Sequence, residues 1–165
     1  MSKRIYIETS IALDYIEGQI ENNTDLKSYF RRELPRVRSL SNKFDFVILE
    51  SSIGETFGQC LVKEWREDKI IEKLLDFLRE TQSRIIRADS INDVDKKELK
   101  RIFGRGDKIL NQEWSDENQW GLDIYDIWFL SQVSVDPNAK YIWANDRRML
   151  DYGNAYINFL AETLA

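Results

Sequence analysis

The chain has 165 residues, 42% of them apolar and 32% charged, with 24 basic against 29 acidic groups and a net charge of −5; this suits one globular domain with a sizeable core. No run of 18 apolar residues is present, and no charged segment leads into an apolar one at the start, so a protein that neither spans a membrane nor is secreted is expected. The single Cys60 excludes an internal disulfide and fits a reducing cytoplasm. The lack of any histidine removes Ser-His and Cys-His nucleophiles and His-ligated zinc, and no glycine-rich nucleotide loop is found.

Taken in order, Arg4 to Ile7 reads as a strand closed by Glu8. The next helix has Ile11, Leu13, Tyr15 and Ile16 on its apolar side, and Gly18 suits its C-terminal cap. Asn22-Asn23-Thr24 opens a second helix, with Thr24 as the expected cap. Arg31, Arg32, Arg36 and Arg38 lie on it, and Pro35 is expected to kink or interrupt it. Phe44 to Leu49 is a second strand, Ser51 to about Trp65 a helix, Asp68 to Glu80 an amphipathic helix, and Ser83 to Ala88 a third strand. A polar helical insertion is expected near 89–121. The stretch Gly121 to Leu150 then supplies a helix that begins at Asp123 and Asp126, a turn at Asp136-Pro137-Asn138, and a strand from Lys140 to Ala144 with Asn145-Asp146 at its end. A short helix from Arg147 to Tyr152 and a fifth strand from Ala155 to Leu160 complete the chain. Strands alternating with helices predict an α/β domain over 1–165, with a central parallel sheet of about five strands between helices on both faces.

Two strands deliver a carboxylate at their carboxyl ends, Glu8 after the first and Asp146 after the fourth. In an open α/β sheet that edge is where ligands bind. Taken singly, each of Asp123, Asp126 and Asp146 reads as a helix N-cap. Together with Glu55, one turn into the helix after strand two, they form an acidic set above one end of the sheet. Like charges so placed raise one another's pKa unless a cation neutralises them. An all-oxygen set without His or Cys suits Mg²⁺ or Mn²⁺, which can activate water for phosphodiester displacement.

Ile5-Tyr6-Ile7-Glu8-Thr9-Ser10, followed by Leu13, Tyr15 and Gly18, resembles the opening of a PIN (PilT N-terminus) domain. Ser51-Ser52-Ile53-Gly54-Glu55 resembles that family's second acidic motif, Asp126 with its apolar helix the third, and Ile142-Trp143-Ala144-Asn145-Asp146-Arg147 the fourth. The resemblance implies a five-stranded parallel sheet sandwiched by helices and a metal-dependent ribonuclease. Catalytic and metal-binding acids would be Glu8, Glu55, Asp126 and Asp146, with Asp123 at the metal. It also implies, as in VapC-like toxins, an antitoxin partner. The chain departs from the family in Glu8, where Asp is usual, in Ala144, where Thr or Ser is usual, and in the length of the 89–121 segment. These departures keep open a second reading, a PIN-like RNA- or protein-binding module with weakened catalysis.

For RNA, Arg147 and Arg148 beside Asp146, together with Thr9 and Asn145, are the expected contacts, because position rather than charge count matters for phosphate binding. Trp114 and Trp120 are available for stacking on unpaired bases, whereas Trp128 and Trp143 lie in apolar runs and read as core. A homodimer is also compatible with the sequence. A phosphotransfer or receiver fold is disfavoured: Glu8-Thr9-Ser10 is not the DxD of the haloacid-dehalogenase type, and no acidic pair stands there.

Overall fold

A computed structural model describes residues 2–87, 126, 129–130, 132–133 and 136–145. Four of the apolar runs form strands: β1 Lys3–Ile7, β2 Phe44–Leu49, β3 Arg84–Ile86 and β4 Ala139–Trp143. Between them lie α1 Thr9–Ile20, α2 Thr24–Leu40, α3 Glu50–Val62 and α4 Glu67–Thr81. Among the described residues the architecture is therefore α/β, with four strands, all paired in parallel, and four helices. The expected fifth strand, the helix after Asp146 and the 89–121 insertion lie outside the described residues.

The strand order is β3-β2-β1-β4. From β1 the chain moves outward through β2 to β3, then returns to the other side of β1. Register follows from this: Tyr6 pairs with Val47 of β2 and Ile142 of β4, and Ile7 pairs with Trp143. The second halves of β1 and β4 and most of β2 are buried on both faces, which is why they read as continuous apolar runs, whereas β3 at the sheet's edge is largely exposed. Ile5, Ile7, Phe46, Ile48 and Trp143 point into one core, where Ile11, Tyr15 and Ile16 of α1, Phe30 of α2 and Phe77 of α4 meet them. Tyr6, Val47 and Ile142, one residue out of phase, are equally buried on the opposite face. There helical Phe129 meets Tyr6 edge-on, with ring centroids 6.5 Å apart.

Trp143 is wholly buried, as its apolar run predicts. Its indole N–H donates to the Tyr29 hydroxyl at 2.9 Å. This bond satisfies the one polar group that the ring carries into the core. Phe30 and Phe46 pack edge-on against the same ring at 6.3 and 6.4 Å.

Two local expectations change. Gly18 is not the cap of α1, which runs on to Ile20 and is capped at Glu21. A Cβ at Gly18 would come within 3.0 Å of the Leu26 Cβ, so the glycine marks close approach of α1 and α2. Asn23, not Thr24, caps α2, its side chain accepting from the N–H groups of Asp25 and Leu26; its amide oxygen reaches two orphan donors at once. Pro35 lies inside α2 without ending it.

At the amino end of β1, Arg4 Nη1 donates to Asp136 Oδ2 at 2.9 Å, the Tyr6 hydroxyl donates to the same oxygen, and the Asn138 N–H donates to Asp136 Oδ1 at 2.8 Å. This cluster anchors the turn that follows helical Val133. Burial pulls the Asp136 pKa up, but the bonds from Tyr6, Asn138 and Arg4 outweigh it and hold the carboxyl below its ordinary range. A depressed folded pKa contributes stability that is present above the unfolded carboxyl value of about 3.9 and is lost as pH falls through the folded one. We predict that Asp136→Asn costs about 1–3 kcal/mol at pH 7, the range for a hydrogen bond to a charged group. The difference from the parent should narrow below about pH 3, where the parent carboxylate is itself protonated. Urea melts of both proteins at the two pH values check this; an undiminished difference at low pH would assign the loss to packing instead.

Candidate active site

The strand order reverses between β1 and β4, and the carboxyl ends of strands at such a switch point are where open α/β sheets bind ligands. The two strands stay together to their ends, the Glu8 N–H donating to the Trp143 carbonyl at 3.0 Å. Glu8 follows β1 directly and Asn145 lies two residues beyond β4, so the end of the sheet carries both to the same place.

Glu8 is 6% exposed and is the N-cap of α1, with extended backbone and its Oε2 accepting from the Ser10 N–H at 2.9 Å. The Ser10 hydroxyl donates to the same oxygen. A glutamate is an uncommon cap, since Ser, Thr, Asp and Asn reach the helix amides more directly. Its negative charge nevertheless complements the positive end of the helix dipole.

Thr9, expected at the RNA, is 4% exposed, and its hydroxyl donates to Glu55 Oε2 at 2.9 Å. The other oxygen of Glu55 accepts from Gln59 one turn on, at 3.1 Å. Glu55 is half-buried on α3, which runs beside α1 in the same direction: eight residues beyond the Thr9–Glu55 contact, Glu17 and Lys63 pair at 2.6 Å. Thr9 thus ties Glu55 to the residue next to Glu8.

Asp126 is helical and half-buried. It precedes Phe129 by three residues, hence shares its helix face. Phe129 rests on Tyr6, while Asp136 bonds Arg4 at the start of β1. The helical residues therefore run opposite to β1, which puts Asp126 toward the carboxyl edge of the sheet, the end that carries Glu8.

Ser10 and Asp14 were not anticipated. The exposed Asn145 donates through its side-chain nitrogen to Asp14 Oδ2 at 2.7 Å and through its backbone N–H to the Ser10 hydroxyl at 3.3 Å. Ser10 and Asp14 are four residues apart and so lie on one face of α1. The available signal was an acidic residue interrupting the apolar run Ile11 to Ile16. Burial raises the pKa of Asp14; the bond from Asn145 opposes that, nearby Glu17 adds to it and Lys63 reduces it.

Asp123, Asp146, Arg147 and Arg148 lie outside the described residues. Among the described residues no three acidic or cysteine side chains group as a metal site. The basic residues of α2 are largely matched by acids: Arg32 and Arg36 bond the buried Glu33 at 2.9 and 3.1 Å, and Arg38 pairs with Glu80. Among the described residues no helix is long and apolar enough to cross a membrane. Comparison with protein families, with curated proteins and with solved structures finds no match.

A raised folded pKa has a sign opposite to that of Asp136. Its stabilising contribution is present below the unfolded carboxyl value and lost as pH rises through the folded one, so ionised Asp14 burdens the fold at neutral pH. We predict that Asp14→Asn melts at or above the parent temperature at pH 7 and that any advantage shrinks in acid. Calorimetry at pH 7 and pH 3.5 checks this; a melting temperature several degrees lower at pH 7 would make Asp14 a net stabilising partner of Asn145.

Proposed function

We propose that the protein is a metal-dependent endoribonuclease of PIN type. The observation that supports this most is the meeting, at the switch point between β1 and β4, of Glu8, Thr9 with its bonded Glu55, and Asn145. The fold proposed with it is a three-layer α/β/α sandwich of about five strands in a single domain over 1–165, the polar 89–121 segment inserted.

The donor chemistry fits a hard divalent cation. Glu8, Glu55 and Asp126, joined by Asp146 and Asp123, would hold Mg²⁺ or Mn²⁺ through oxygen alone. A carboxylate has about four lone-pair positions, so the bonds that Glu55 accepts from Thr9 and Gln59 are compatible with also facing a cation. When bound, the cation would neutralise the acids and activate water for attack on the phosphodiester. The chain's own part is positioning. Thr9 and Gln59 fix the Glu55 carboxylate in one orientation, and Ser10 with the first turn of α1 fixes Glu8. Arg147 and Arg148 beside Asp146 would meet the phosphates. The working setting is the cytoplasm, with RNA as the partner, and with an antitoxin protein or a second copy as further ones if it acts as a VapC-like toxin.

One observation favours the alternative, a binding module with weakened catalysis: the Glu8 carboxylate is already engaged by Ser10 as a helix cap. One assay separates the two. A single-stranded RNA oligonucleotide should be cleaved with Mn²⁺ present and left whole in excess EDTA. Glu55→Gln should cut the rate by more than ~100-fold, beyond the ~10–100-fold typical of losing a group that merely supports a metal ligand. RNA that is bound but not cleaved at any Mn²⁺ concentration establishes the binding module, and cleavage undiminished in EDTA rules out the metal mechanism.

A further inference from the structure

We infer that Asp14 is a positioning residue of this site, acting through Asn145; the inference rests on the nuclease reading for its catalytic consequence. Its basis is a chain of bonds across the switch point. Glu8 Oε2 accepts from the Ser10 hydroxyl, the Ser10 oxygen accepts from the Asn145 N–H, and the Asn145 side-chain nitrogen donates to Asp14 Oδ2. The first turns of α1 thereby hold both the backbone and the side chain of Asn145, the residue immediately before Asp146.

The partners also fix the orientation of the amide. An ionised carboxylate only accepts, so the atom of Asn145 facing Asp14 is the nitrogen. The carbonyl oxygen is left as the acceptor that Asn145, itself exposed, presents elsewhere. A phosphate oxygen also only accepts and would take the remaining N–H of the amide, whereas the carbonyl oxygen is matched to a hydroxyl donor or a cation. A residue at 14 with no side-chain acceptor would release the amide to turn over and loosen the backbone at Asn145. No apolar core is involved, because Asp14 is half-buried and Asn145 exposed, so the bond serves placement more than folding.

The test compares the parent, Asp14→Ala, Asp14→Asn, Asn145→Ala and the double variant Asp14→Ala/Asn145→Ala. Cleavage of a single-stranded RNA oligonucleotide is followed across a Mn²⁺ titration, and amide hydrogen exchange at Asn145 is followed by NMR. Asp14→Ala should raise the Mn²⁺ concentration for half-maximal cleavage by ~10–100-fold, the usual effect of losing a group that orients a site from outside it. Asp14→Asn, whose side-chain oxygen can still accept from Asn145, should recover most of that loss. The double variant should be no worse than either single one, since each breaks the same bond. Exchange at Asn145 should quicken in Asp14→Ala with the melting temperature held. Unchanged metal dependence in Asp14→Ala, or losses that simply add in the double variant, overturns the inference. A parent that neither binds Mn²⁺ nor cleaves RNA removes the nuclease reading; exchange at Asn145 then decides the positioning claim alone, and unchanged exchange in Asp14→Ala overturns that too.

Discussion

The pairing of β1 with β4 is the constraint on which the site depends. Among the described elements β1 lies between β2 and β4, and α1 leaves from its end. Pairing β4 here rather than beyond β3 reverses the strand order and makes the carboxyl edge between β1 and β4 a switch point. The backbone bond between Glu8 and Trp143 then carries the ladder one step past the last strand residue of β1. Trp143 holds the same register from below, since its ring is fixed by Tyr29 and by the aromatic side chains around it.

Much of this frame was legible in the residues. Phe44–Leu49 is a strand because Phe44, Phe46, Val47 and Ile48 favour strands and the run sits between polar Lys43 and Glu50, and its expected bounds match those observed. The positions of Glu8 and Asn145 followed from their place just beyond apolar runs. Helix ends were read less well. Asn23 and Thr24 are both acceptable caps, and the choice between them depends on which oxygen reaches the amides of Asp25 and Leu26. Gly18 read as a stop because glycine favours left-handed caps. Its actual reason is Leu26 on another helix, a contact that no local pattern encodes. Asp14 was hidden for the same reason: its partner Asn145 is 131 residues away.

The two partly buried aspartates with described partners at opposite ends of β1 show how one residue type is set to different tasks. Asp136 receives donors from Arg4, Tyr6 and the Asn138 backbone, and these exceed the cost of burial. Asp14 receives one amide, and burial prevails. The first arrangement is what a fold uses to secure an element. The second leaves a carboxylate held in place but electrostatically uneasy, a condition common where side chains serve a site rather than the scaffold.

The bond between Arg4 and Asp136 joins residues 132 apart in sequence. Chains rich in such distant contacts pay loop-closure entropy before the contacts form, and they fold slowly for that reason. During synthesis, α1 to α4 can dock on β1, β2 and β3 as soon as they emerge, because their mutual contacts are all made within residues 3–86. β4 arrives some fifty residues later, and with it Trp143 and Asn145. A ribosome-bound chain halted before residue 139 would thus lack Trp143 in its core and Asn145 beside Ser10 and Asp14, so the arrangement at the carboxyl end of β1 is completed only once β4 has emerged.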